Sequence, residues 1–180
     1  MFLRDGFAAT TIATIATDAG VSVETVYKAF GGKPGLVRAI VQQALAGSGP
    51  VPAETRSDAL QRTETDPRAI IRGWGTLTIE VAPRVAPVLL LLRAAAVNDP
   101  EMAALYEEVS NQRLARMTHN ATSIATHLRP GLSIKAAGVI LWTYSAPELY
   151  ELLVLKQHWR LARYGAFIAD AIAAAVLAAP

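Results

Sequence analysis

The stretch Gly6–Leu36 reads GFAATTIATIATDAGVSVETVYKAFGGKPGL, and its punctuation decides the fold. Thr10 or Thr11 stands where a side-chain oxygen accepts an orphan backbone N–H, so a helix starts there and runs to about Asp18. Ile12, Ile15, Ala16 and Ala19 form its inward stripe. Gly20 ends it, as the residue best suited to a left-handed conformation after a helix. Ser22 caps a second short helix, Val23–Phe30, which Gly31-Gly32 terminates. A third helix opens at Lys33-Pro34, since Pro is tolerated in the first turn, and Leu36, Val37, Ile40, Val41 and Ala44 carry its stripe to about Ala46. Two short helices joined by a Gly-containing turn form a helix-turn-helix, a unit that sets its second helix in the DNA major groove. An ordinary αα-hairpin fits the same pattern.

Outward from this block the chain reads as all-α. Gly47-Ser48-Gly49-Pro50-Val51-Pro52 cannot continue a helix and marks a boundary, giving one domain over 1–47 and a second over 48–180. Asp66-Pro67 opens a helix to about Ala82, and Pro83 and Pro87 are expected to break the chain before Val88–Val97. Asp99-Pro100 opens a long helix to about Leu128, stopped by Arg129-Pro130-Gly131. Ser133 caps a helix to about Tyr144, Pro147 restarts the path into Glu148–Lys156, and a last helix covers about Leu161–Leu177.

Composition narrows the function classes. The 180 residues are 52% hydrophobic and 18% charged, too apolar for a disordered chain. The absence of cysteine excludes a disulfide scaffold, thiol catalysis and cysteine-ligated metal centres. A net charge of +2 neither demands nor excludes a polyanionic partner. The most apolar run, Val85–Val97, spans 13 residues with Pro87 and Arg93 inside it, short of the ~20 needed to cross a bilayer. No membrane association is expected. Asp5 stands near the start and no basic segment leads into an apolar one, so no signal peptide is expected and the compartment is read as the cytoplasm.

The residue identities over 6–36 resemble the N-terminal signature of the TetR family of bacterial one-component regulators. The resemblance rests on Gly6-Phe7, Thr10-Thr11-Ile12, Ile15-Ala16, Ala19-Gly20-Val21-Ser22, Thr25-Val26-Tyr27, Phe30, Lys33 and Leu36, in order and with family spacing. A weaker similarity covers Ser145 to Tyr150 and Trp159. Phe7, Ile12, Ile15, Ala16, Val21, Val26 and Phe30 are read as the apolar pegs of a three-helix core. The resemblance implies a double-stranded DNA operator as partner. It sets Thr25, Tyr27 and Lys28 against DNA, with Ser22, Val23 and Glu24 opening the recognition helix toward base edges. Thr10, Thr11 and Lys33 lie at helix N-termini, where backbone N–H groups favour a phosphate. Two departures stand out. Family members carry a longer helix before the Gly-Phe pair, and Met1–Arg4 match only its last turn, with Phe2 and Leu3 as its apolar face. The natural start is therefore expected further upstream. Residues 1–47 also hold four cations against three acids, a weak electrostatic footprint for a DNA-binding unit.

The resemblance implies that the second part binds a small-molecule inducer and dimerises. Apolar residues almost encircle Glu148–Gln157, and a helix of that kind must be covered on several sides. With the last helix it is expected to build a homodimer interface from Leu149, Leu152, Leu153, Tyr164, Phe167, Ile168, Ala171 and Ile172, while Gly165, Ala169, Ala173 and Ala174 permit close approach. Trp74, Thr78, Met102, Tyr106, Arg113, Met117, Asn120, Trp142 and Tyr144 are candidates for an apolar pocket with a few polar groups. Glu80 fits either a cationic ligand or a helix-end surface position.

Catalysis is not expected. His119 and His127 lie eight apart, wider than an i, i+4 metal pair, and no HExxH, Walker, GxGxxG or GxSxG motif occurs. Glu107-Glu108 and Glu148/Glu151 have ordinary surface or capping explanations. No catalytic residue, metal ligand or cofactor is assigned. The reading is therefore a ligand-responsive TetR-like repressor acting as a homodimer. The alternative is a helical interaction or ligand-binding module that has lost DNA binding, for which Thr25-Val26-Tyr27 and Lys33 need not be retained.

Overall fold

The protein, described over residues 1–178 of a computed structural model, is all-helical. Its elements are α1 (Phe2–Asp5), α2 (Ile12–Ala19), α3 (Val23–Phe30), α4 (Lys33–Ala46), α5 (Ala53–Thr63), α6 (Pro67–Ala96), α7 (Pro100–Ser123), α8 (Ile134–Tyr144), α9 (Pro147–Tyr150) and α10 (Leu161–Val176). A 3-10 turn (Ala125–His127) follows α7, and a π-helical turn (Glu151–Lys156) follows α9.

The cap residues set the head. Thr11 Oγ1 accepts from the Thr14 N–H at 3.1 Å and Ser22 Oγ from the Thr25 N–H at 3.1 Å, so each short helix begins where its first orphan donor is satisfied. Gly20, at φ 66°, closes α2 in the left-handed region. Ile12, Ala16 and Val26 form a small buried cluster with Ile15 and Leu36 against it. Val21 and Phe30, expected in this core, are instead 42% and 41% exposed. The α2–α3 pair is too small to bury more than one stripe of each helix.

Beside that small cluster, the head shares a second and larger core with the body. Phe2 of α1 and Val37, Val41 and Ala44 of α4 pack with Val85, Val88, Leu89 and Leu92 of α6 and with Met102, Leu105 and Val109 of α7. Gly47–Pro52 is thus a break in the chain inside a shared core. Leu3, expected beside Phe2, is 59% exposed.

The body departs from expectation at four places. Polar α5 follows Pro52 directly, in a stretch given no helix. It is held by Arg116, which bonds Asp58 at 2.7 Å and Glu54 at 3.2 Å, and by Gln61 donating to Asn120 at 3.0 Å. Pro83 and Pro87 do not break the chain, and α6 runs through both. Each interior proline costs about 3 kcal/mol. Buried Ala82, Val85, Ala86, Val88, Leu89 and Leu92 continue the apolar stripe across them, and burying the larger of these side chains gains roughly 1.5–3 kcal/mol apiece. The unbroken α6 is long and apolar enough to cross a membrane by length and composition, with a window of mean hydropathy 1.5. It nevertheless packs on α4, α5, α7, α9 and α10, as the central helix of the bundle. The long α7 ends at Ser123, five residues early. The segment after Pro147 gives one α-turn and then the π-turn, not one α-helix.

Helices α6 and α10 cross in backbone contact. A Cβ at Gly75 would sit 2.6 Å from the Gly165 carbonyl oxygen. The small residue Gly165, expected at a subunit contact, is therefore used within the chain.

Candidate functional site

Helix α3 presents the candidate recognition surface. Only Val26 is buried on it, while Ser22, Val23, Glu24, Thr25, Tyr27 and Lys28 are exposed. The Ser22 and Thr25 hydroxyls are 2.8 Å apart, which orients both at the start of the helix. Tyr27 is 52% exposed, and one edge of its ring lies against Gly32. Thr11 is exposed, with its hydroxyl 2.7 Å from that of Thr14.

Two expected contacts are corrected. Thr10 is 2% exposed and donates to the Gly6 carbonyl at 2.8 Å, so its hydroxyl fastens the α1–α2 turn and does not face outward. Lys33 donates to the Phe7 carbonyl at 2.6 Å, and its ammonium lies 4.1 Å from the Phe7 ring centre. An aromatic face attracts a cation, so Lys33 ties α4 to the Gly6-Phe7 turn. Arg38 is likewise engaged, with Glu108.

A cavity of about 680 Å³ opens between α5, α6, α7, α8 and α10, within the range that holds one small ligand. Of the nine expected residues, Trp74, Thr78, Arg113, Met117 and Asn120 line it. Met102 and Tyr106 belong instead to the core beneath α4. Trp142 and Tyr144 also fall outside the lining, because α8 turns Leu141 and Ser145 toward the cavity. Glu80 is also elsewhere: it accepts from Arg56 at 2.7 Å and from the Ser48 N–H at 2.5 Å. These bonds hold its carboxyl down at about pKa 2 and latch the Gly47–Pro52 break to α6.

The cavity wall also takes residues expected at the dimer interface. Tyr164, Ile168 and Ile172 are buried, at i, i+4 and i+8 of α10, and all three line the cavity. The opposite face holds exposed Arg163, Phe167 and Asp170, and that charge pattern was the available signal. Leu152 (49% exposed) and Phe167 (37%) remain on the outside, with Leu149, Leu153 and Ala171 partly covered. Leu77, Val81, Val85 and Leu89 of α6, and Ser57 of α5, were not expected in the lining. Their periodicity is that of a plain core stripe.

The comparisons with known proteins fall on the same two regions. The family described as bacterial regulatory proteins, tetR family, matches residues 1–40. The HTH-type transcriptional regulator BetI of Stenotrophomonas maltophilia (strain R551-3) is 30% identical over 137 residues, covering 76% of this chain and 69% of that protein. The chain belongs to the TetR family. It is a transcriptional regulator of that family, with its DNA-binding helix-turn-helix in α2 and α3. The fold is similar to that of FadR from Bacillus subtilis in complex with stearoyl-CoA (TM-score 0.74, 16% identity, 97% of this chain and 92% of that one). It is also similar to SmeT in its triclosan complex (TM-score 0.72, 20% identity, 98% and 86%). A regulator from Saccharomonospora viridis in complex with choline gives a TM-score of 0.70 at 17% identity, over 99% and 92%. All three matches cover nearly the whole of this all-helical chain.

Proposed function

We propose that this TetR-family protein is a ligand-responsive repressor that acts as a cytoplasmic homodimer on a two-fold operator. The carrying observation is α3, which buries Val26 alone and leaves its remaining face to a partner. Ser22, Val23, Glu24, Thr25, Tyr27 and Lys28 meet the major groove, and the exposed Thr11 meets phosphate at the start of α2. The boundary at residue 47 divides roles and not cores: residues 1–47 read DNA, and 48–180 hold ligand and partner subunit. Exposed Leu152 and Phe167, flanked by Leu149, Leu153 and Ala171, form the subunit contact.

Ligand-bound relatives support the response to a small molecule. FadR is described with stearoyl-CoA, SmeT with triclosan and the Saccharomonospora regulator with choline. Three such different ligands on one fold mean that the cavity lining, and not the fold, sets the inducer. Ligand acts by binding more tightly to a dimer whose recognition helices are wrongly spaced, a coupling of typically 1–3 kcal/mol.

Hydroxyl-radical footprinting of DNA selected by the full chain tests this reading. The expected result is two protected patches about one helical turn apart, related by a dyad. A single patch, or uniform weak protection, overturns the dimeric-operator reading.

A further inference from the structure

We infer that the cavity takes an amphiphilic anion, with its charged head on Arg113 and its apolar body along α6 and α10; this deepens, and rests on, the ligand-responsive reading above.

The argument is a balance of charge and hydrogen-bonding groups. Besides Tyr164, five ionisable side chains line the cavity: Glu54, Asp58, Arg113, Arg116 and His119. Arg116 bonds both carboxylates, and His119 lies 3.5 Å from Asp58, so both acids already have partners within this group. Arg113 has no carboxylate partner among the described residues. Its Nη2 donates to the Ser145 carbonyl at 3.0 Å, the Ser145 hydroxyl at 3.2 Å and the Trp142 carbonyl at 3.5 Å, while Nε and Nη1 have no protein acceptor there. The acid that acts on it, Glu148, is held by Arg93. Burial pushes the Arg113 guanidinium below its ordinary value, and Glu148 offsets only part of this. Its plane is steadied over Trp142, 5.7 Å from the ring centre.

The other polar groups of the wall favour the same ligand. Tyr164 is 2% exposed, lines the cavity, and its hydroxyl makes no hydrogen bond among the described residues. Asn120 is 5% exposed and accepts from Gln61 through Oδ1, which leaves its amide N–H groups as donors. The wall thus offers unpaired donors, and its carboxylates are already engaged. The carboxylates are already tied to Arg116, whereas a carboxylate ligand finds the Nε–H and Nη1–H groups of Arg113 open to donate to it. From a head at Arg113 the apolar body lies along Leu77, Val81, Val85 and Leu89 of α6 and Ile168 and Ile172 of α10, which line the same cavity.

The test is isothermal titration of the full chain with decanoate, decanol, decyltrimethylammonium and choline, each below its micellar concentration. Decanoate is expected to bind at least ~10-fold more tightly than decanol, with the two cations weaker still. Arg113→Gln brings decanoate close to the level of decanol, while Arg113→Lys keeps part of the preference. Circular dichroism checks that each variant is folded. If Arg113→Gln does not fold, the wild-type comparison decides alone. Equal binding of decanoate and decanol, or a preference for either cation, overturns the head-group inference while leaving a ligand-binding cavity. No binding by any probe overturns this inference and counts against the cavity as an effector site.

Discussion

Arg38, on the helix that follows the recognition helix, grips Glu108 of α7 through two bonds, Nη2 to Oε2 at 2.6 Å and Nε to Oε1 at 3.3 Å. Five residues further along α7, Arg113 faces the cavity. One helix therefore joins the cavity wall to the helix-turn-helix head. Both members of the pair are about two-fifths exposed, so its expected contribution to stability is small, ~0.5–1 kcal/mol. A double-mutant cycle with Arg38→Met and Glu108→Gln in urea unfolding measures it. Strict additivity of the two substitutions would show that the pair is not coupled.

A second latch gives a pH dependence. The Glu80 carboxyl is held at about pKa 2 by Arg56 and the Ser48 N–H, from an ordinary value of 4.5. The folded value lies below the unfolded one, so the stabilisation is present above about pH 4.5 and is lost as pH falls toward about 2. Glu80→Gln is expected to lower stability at pH 7 by about 1–2 kcal/mol, allowing for solvent screening of a partly exposed group. The difference from wild type shrinks on acidification below pH 4.5. Denaturant titrations at pH 7 and pH 3 check this; a constant difference contradicts it.

The α6–α10 crossing tolerates no side chain. Gly75→Ala places a methyl 2.6 Å from the Gly165 carbonyl oxygen and 2.9 Å from the Ala169 Cβ. Overpacking of this kind costs about 1–3 kcal/mol. The urea midpoint is expected to fall with unchanged slope, and a midpoint equal to that of wild type shows that the helices can part without penalty.

The outward apolar face makes a solution prediction. Leu152 is 49% exposed, so a charge there does not disturb the single chain. Leu152→Glu is expected to give a folded monomer in sedimentation velocity where the wild-type chain gives a dimer. An intact dimer moves the interface off this face.

Most of the helix-turn-helix was legible because local rules govern it. Thr11, Ser22, Gly20 and Gly31 act within three or four residues of where they stand. The prolines of α6 misled because their local penalty is outweighed by burial of residues far apart in the chain, which no local pattern reports. Tyr164, Ile168 and Ile172 form one apolar face, as read, but whether such a face meets its own core or another subunit depends on the path of α6. The cavity was legible only in its larger and polar members. Its aliphatic wall looks like any core stripe, and the roles of Thr10 and Lys33 depend on the turn at Gly6-Phe7, which brings carbonyls to them.

The central claim is that α3 reads DNA through its exposed face, and Tyr27 tests it most directly. Fluorescence-anisotropy titration would compare DNA from upstream of the protein's own gene with a scrambled sequence, at two salt concentrations. The wild-type chain, Tyr27→Phe and Lys28→Ala would be measured in parallel. The account predicts tighter binding to the upstream DNA, weakened on that DNA by Tyr27→Phe in a folded protein. Lys28→Ala is expected to weaken binding on both DNAs and to reduce the salt slope by about one phosphate's worth, ~0.9. Equal affinity for the two DNAs, unmoved by either substitution, would contradict it.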